Sequence, residues 1–107
     1  PAIIVTGIVG GVFTPTEAFA AIEAGAHSLK LFPAEAGSPP VVKALKAVLP
    51  KDIPVIVVGG VRVDNVRDWV DAGADGFGLG SGLYRPGQSP ERTLENARAF
   101  VTAVKGS

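Results

Sequence analysis

The sequence predicts an α/β fold of four successive strand–helix units, about half of a (β/α)8 TIM barrel. Three observations predict it. Short apolar runs at Ile3–Val9, Ser28–Phe32, Val55–Val58 and Gly76–Leu79 are each bounded by Gly, Pro or Ala-Gly, as strands buried on both faces are. Segments of helical periodicity lie between and after them. The connections are short, and such βαβαβαβα alternation implies a parallel sheet with right-handed crossovers. A closed barrel needs at least roughly 200 residues, and this chain has 107. Two architectures therefore stay open: half a barrel completed by a second chain, or a flavodoxin-like open parallel sheet.

Each helix has its own start and stop. In Thr14-Pro15-Thr16-Glu17, Thr14 can cap, Pro15 fits the first helical position and Glu17 can close a capping box. That helix is expected to run to Ala24, with Gly25 as the left-handed residue beyond its end. Ser38-Pro39 opens a second helix, with Val41, Val42, Leu45, Val48 and Leu49 on one stripe. Asp64 can cap a third, with Val66, Trp69 and Val70 inward and Gly73 at its end. Ser89-Pro90 starts a fourth, carrying Leu94, Ala97, Phe100, Val101 and Val104.

Two segments echo each other. Ile8-Val9-Gly10-Gly11-Val12 resembles Val57-Val58-Gly59-Gly60-Val61, and Glu23-Ala24-Gly25-Ala26 resembles Asp71-Ala72-Gly73-Ala74. Either the chain repeats a two-unit module, or Gly and Ala simply fall at the same places in any pair of βα units.

Bulk properties narrow the function classes. Ten basic and ten acidic residues are spread along the chain without a basic block, so no nucleic acid partner is expected. There is no cysteine and only one histidine, His27, which excludes a disulfide framework, a thiolate site and a multi-histidine metal site within one chain. No metal or other cofactor is expected. No run reaches the roughly 18 apolar residues of a membrane span. The apolar start, Pro1 to Val5, lacks the positive region and cleavage site of a signal peptide. The expectation is a single cytoplasmic domain over residues 1–107, with no membrane partner.

The chemistry-bearing residues cluster after the strands. In Ser28-Leu29-Lys30-Leu31-Phe32, alternation puts Leu29 and Leu31 on one face and Ser28, Lys30 and Phe32 on the other. Burying an ammonium is costly, and one remedy, shedding the proton, also makes a nucleophilic amine. The bland alternative is an edge-strand lysine snorkelling to water. Gly59-Gly60 follows one strand and Gly80-Ser81-Gly82 the next. In barrels such loops commonly hold phosphate on backbone N–H groups, which glycine lets an anion approach closely. Gly76, Gly78 and Gly80 could equally be steric, making room for neighbouring side chains. His27 and Glu35 read as solvated loop residues, and Arg62 and Arg85, flanking the glycine motifs, as surface residues able to assist an anion.

Leu29-Lys30-Leu31-Phe32-Pro33-Ala34-Glu35 resembles the Schiff-base strand of the class I aldolases for 2-keto-3-deoxy-6-phosphogluconate and -galactonate. The likeness continues in Thr14-Pro15-Thr16-Glu17-Ala18, Val58-Gly59-Gly60-Val61 and Gly76-Phe77-Gly78-Leu79-Gly80-Ser81, and Gly82 to Gly87 resembles the galactonate branch more closely. The resemblance implies the C-terminal half of such an enzyme. Lys30 would form the Schiff base, Phe32 would line the pyruvyl site, and Gly59, Gly60, Gly80 and Ser81 would hold phosphate. The partner would be pyruvate or a phosphorylated keto sugar acid, cleaved to pyruvate and glyceraldehyde 3-phosphate. It also implies a catalytic glutamate and a carboxylate-binding arginine from an N-terminal half whose motifs do not occur in this sequence. The first dozen residues match poorly, with Gly10-Gly11 where the family has Pro-Gly, which leaves open whether residues 1–13 are natural or engineered. The alternative function is a non-catalytic fragment or engineered half-barrel scaffold. Either way, four βα units leave an inner sheet face and two strand edges uncovered, so a homodimer is expected.

Overall fold

The computed structural model of the chain describes residues 3–5, 8–11, 15–34 and 37–106, with backbone alone for 3–5, 8–11 and 15. Five strands form one sheet in the order of the chain: β1 (Ile3–Val5), β2 (Ile8–Gly11), β3 (Ser28–Leu31), β4 (Val55–Val58) and β5 (Gly76–Gly78). From β2 to β5 every pairing is parallel, and helices α1 (Pro15–Glu23), α2 (Pro39–Val48) and α3 (Val66–Asp71) make the crossovers. Helix α4 (Pro90–Lys105) follows β5.

This strand order decides between the two architectures. A doubly wound sheet reverses its order at a switch point and places helices on both faces. Here the order never reverses. Ala18 and Ala21 of α1, Val42 and Leu45 of α2, Val66 and Trp69 of α3 and Phe100 of α4 join one core with Leu29, Leu31, Val55 and Val57. All four helices therefore lie on the same side of the sheet, as in a half-barrel, and the flavodoxin-like alternative is set aside.

The first strand differs from expectation. The run Ile3–Val9 is not one strand: β1 turns back antiparallel onto β2, with Val5 opposite Ile8 and Ile3 opposite Gly10. An apolar run carries no mark of a reversal within it, because both arms of a hairpin between buried neighbours are apolar. The available signal was the Thr6-Gly7 pair between the two arms.

The helix stops follow the expected glycines. Beyond α1, Gly25 has φ of 105°, its N–H donates to the Ile22 carbonyl, and Ala26 N–H donates to Ala21. Beyond α3, Gly73 has φ of 105°, its N–H donates to Val70, and Ala74 N–H donates to Trp69. Both are Schellman closures of the same form. The Ala-Gly-Ala echo is thus structural. The other echo is not, because Gly10 and Gly11 are part of β2, whereas Gly59 and Gly60 lie past the end of β4 at φ of 95° and 77°.

The helix starts follow less closely. Ser89 caps α4, its Oγ accepting from Arg92 N–H at 3.1 Å. Thr14 and its capping role lie outside the described residues. At α3 the cap position is Asn65 rather than Asp64, which pairs with Arg62 instead. Val48, Leu94 and Val101, expected on the inward stripes, are about half exposed.

Candidate active site

The alternation in β3 comes out as read. Leu29 and Leu31 are fully buried, while Ser28 and Lys30 are half-buried on the opposite, helix-free face. Lys30 is opposite Gly10 of β2 and Ile56 of β4 in the sheet register, so β3 is an interior strand. That removes the edge-strand account of Lys30. It also corrects the idea of a fully buried ammonium: the helix-free face keeps the side chain partly open. Its Nζ stands over the Phe32 ring, 5.3 Å from the centroid, at a cation–π distance.

Phe32 links the lysine to a cleft of about 460 Å³ at the C-terminal ends of β3, β4 and β5. The phenyl ring is 48% exposed and forms one wall. Gly59, Gly60, Gly80 and Ser81 line the same cleft. The structure thus brings Phe32 and the four proposed phosphate residues together, with Lys30 over the Phe32 ring rather than in the lining. Arg62 and Arg85 also line it, although both are exposed. Their placement follows from a loop path that spacing does not show. Among the described residues no carboxylate lines the cleft. Glu35 lies outside the described residues, and His27 is an exposed loop residue, as expected.

The glycines divide into two kinds. A Cβ on Gly78 would stand 2.7 Å from Val58 Cγ2, and one on Gly76 would stand 3.0 Å from Ile56 Cδ1. These two make room for β4 side chains on the helix-free face. A Cβ on Gly82 would meet Phe100 and the Val61 carbonyl at 3.2 Å. Gly80 is different, since nothing lies within 4 Å of the place its Cβ would take. Packing does not require glycine there, whereas close approach of a ligand would. Gly59 is constrained twice, by φ of 95° and by Pro33 Cα at 3.1 Å from a would-be Cβ. Phe32 joins Pro33 through a cis peptide bond, and Gly59 packs on that pair.

Both cleft loops are held by their own hydrogen bonds. Asn65 Nδ2 donates to the Gly60 carbonyl at 3.0 Å, and its Oδ1 accepts from Arg62 N–H at 2.7 Å. After β5, the Gly80 carbonyl accepts from Leu83 and Tyr84 N–H groups, closing one turn. Gln88 and Asn96 side-chain amides both donate to the Leu83 carbonyl, tying this turn to α4.

The other end of the sheet carries an ion pair instead of a cleft. Lys46 Nζ is 2.7 Å from Asp75 Oδ2, which also accepts the Val55 N–H. Burial pushes the Asp75 carboxyl up, but the Lys46 hydrogen bond, the Val55 N–H and the Lys46 charge together outweigh it and hold it below its ordinary 3.8.

A singly wound sheet with every helix on one side, and with its cleft at the carboxyl ends of the strands, defines a protein of (β/α)-barrel type. More particularly, the KDPG and KHG aldolase model matches residues 3–92, and the chain belongs to that family. The match begins well before Thr14, so residues 3–13 fall within it. The chain is 59% identical over 95 residues to 2-dehydro-3-deoxy-6-phosphogalactonate aldolase of Escherichia coli K12, covering 89% of this chain and 46% of that protein. It is 48% identical over 93 residues to a probable aldolase of the same name from Rhizobium meliloti, covering 87% and 44%. A solved structure of native KDPGal superposes with TM-score 0.81 at 58% identity, covering 90% of this chain and 47% of that one. The chain therefore spans about half the length of the curated relatives it matches.

Proposed function

We propose that this chain supplies the Schiff-base and phosphate-binding half of a class I aldolase acting on 2-keto-3-deoxy-6-phosphogalactonate. The observation that carries this reading is the single arrangement of Lys30, the Phe32 wall and the Gly59-Gly60 and Gly80-Ser81 loops around one end of the sheet. The identity with the galactonate aldolases supports the choice of substrate. In this scheme the Lys30 amine adds to the C2 carbonyl of the keto acid and water leaves, forming an iminium. The C4 hydroxyl gives up its proton to solvent water, the C3–C4 bond breaks, and its electron pair passes into the iminium as an enamine. Glyceraldehyde 3-phosphate departs. Protonation at C3 and hydrolysis release pyruvate and restore Lys30. The phosphate of the substrate binds in the glycine-lined cleft, held by backbone N–H groups of the lining residues Gly59, Gly60, Gly80 and Ser81.

Reduction with borohydride in the presence of pyruvate tests this. One reduced adduct is expected at Lys30, absent in Lys30→Ala; labelling spread over Lys43, Lys46, Lys51 and Lys105 would overturn the assignment. Turnover by this chain alone is expected to be low. Cleavage needs a placed proton acceptor, general acid–base help is typically worth about 10²–10⁴-fold, and no carboxylate lines the described cleft.

A second reading, a self-associating scaffold, rests on the uncovered parts of the sheet. Ile56 and Val58 are half-buried on the helix-free face, and Phe77, Leu79, Val101 and Val104 line an apolar groove beside edge strand β5. Pairing of two copies about a twofold would cover both faces. Sedimentation decides: a species near twice the 10.9 kDa chain mass supports the homodimer, and 10.9 kDa across the micromolar range removes it.

A further inference from the structure

Two arginines line the cleft, and their surroundings differ. Arg62 is compensated: its Nε lies 2.9 Å from Asp64 Oδ1, and its NH1 reaches the Gly60 carbonyl at 3.5 Å. Its charge is met locally, and its groups brace the Gly59-Gly60 turn. Arg85 has no carboxylate partner among the described residues; its Nε donates to the Ser81 carbonyl at 3.3 Å, and its terminal nitrogens have no partner there. The backbone under it is fixed, because Gln88 N–H donates to the Arg85 carbonyl at 3.0 Å and the Gln88 side chain is bound to Leu83 and Thr93. The uncompensated charge therefore stands on a hydrogen-bonded turn beside Gly80, a cleft glycine with nothing within 4 Å of the place its Cβ would take.

We propose that Arg85 is the charge that selects a phosphorylated ligand in this cleft, while Arg62 serves the loop. The inference rests on reading the cleft as a phosphate site. A backbone cradle offers partial charges that any small anion can use. A full guanidinium charge adds a term that grows with the charge of the ligand, so it favours a phosphate group over a neutral hydroxyl at the same place. Arg85 thereby becomes a specificity residue that separates phosphorylated sugar acids from their unphosphorylated counterparts.

The test is a titration of the 107-residue chain with inorganic phosphate, followed by the amide signals of Gly80 and Ser81. Arg85→Ala is expected to raise the Kd about tenfold, and Arg85→Lys, which keeps the charge, less than about threefold. Added salt should narrow the gap between Arg85→Ala and the unsubstituted chain, because an exposed charge is screened. A Kd within twofold of the original in Arg85→Ala overturns the inference while leaving the cradle intact. Loss of binding in Arg85→Lys equal to that in Arg85→Ala overturns the role assigned to charge. A flat titration of the unsubstituted chain takes down the cradle and this inference together. An unchanged Trp69 indole signal in each variant confirms that the fold is retained.

Discussion

The two faces of the sheet are built from the same strands and do different work. Toward the helices, Leu29, Leu31, Val55 and Val57 are fully buried and meet all four helices. On the other face stand Lys30, Ile56 and Val58, none of them fully buried, with Gly76 and Gly78 beside them. Period-two alternation hands each neighbouring residue to the opposite task. The lesson is that stability and chemistry can be separated one residue apart in a single strand, so substitutions at adjacent positions should have unlike consequences.

The largest contrast is between Leu31 and Lys30. Leu31→Ala should destabilise the fold by about 2–5 kcal/mol in urea unfolding, through lost burial and the cavity left behind. Lys30→Ala should change stability by no more than about 0.5 kcal/mol yet abolish the borohydride-trapped pyruvate adduct. Comparable unfolding of both variants would break the division between faces.

Among the glycines, Gly59→Ala should cost about 1–3 kcal/mol, because the residue sits at φ of 95° with Pro33 3.1 Å from the new Cβ. Gly80→Ala should leave the midpoint within about 0.5 kcal/mol while weakening phosphate binding. Equal loss of stability in the two would mean that Gly80 serves packing. On the helix-free face, Gly78→Ala should cost about 1 kcal/mol or more through its 2.7 Å approach to Val58, and Val58→Ala in the same chain should recover most of that loss. Failure of the rescue would show that backbone freedom, not Val58, is what Gly78 provides.

The smallest effect is expected at the far end of the strands. The Asp75 carboxyl is held below 3.8, so its stabilising contribution is fully present above that value and is lost as pH falls through the lower, folded-state value. Asp75 and Lys46 are both partly solvated, and screening limits the pair to about 0.2–1 kcal/mol. Asp75→Asn should therefore lower stability by that amount near neutrality, with the gap to the unsubstituted chain closing below pH 4. A gap that does not narrow as pH falls below 3.8 would show that the effect does not come from the charge.

Much of this arrangement is written in local pattern. Leu29 and Leu31 against Ser28 and Lys30, the Ser89 cap and the closures at Gly25 and Gly73 depend only on neighbours a few residues away, and each is legible. What spacing cannot show is which strand lies next to which. The interior position of β3, on which the meaning of Lys30 depends, comes from pairings with β2 and β4 twenty or more residues distant. The same holds for the reversal inside Ile3–Val9 and for the arrival of Arg62 and Arg85 at one cleft. Gly76, Gly78 and Gly80 look alike as a motif; only the cross-strand contacts of Val58 and Ile56 tell the first two from the third.

The strictly sequential strand order also bears on how the chain reaches this state. Each parallel ladder is closed by strands that follow one another, with starts at Ile8, Ser28, Val55 and Gly76. No strand has to be inserted between two that are already paired. The intervening segments are similar in length, so the entropic expense of closing each differs by only about 0.3 kcal/mol. Assembly can therefore advance by accretion, unit upon unit, as the polypeptide emerges. Amides of β3 and β4, flanked on both sides, should be the last to exchange with deuterium, and those of β5 should open first without taking the rest of the sheet with them.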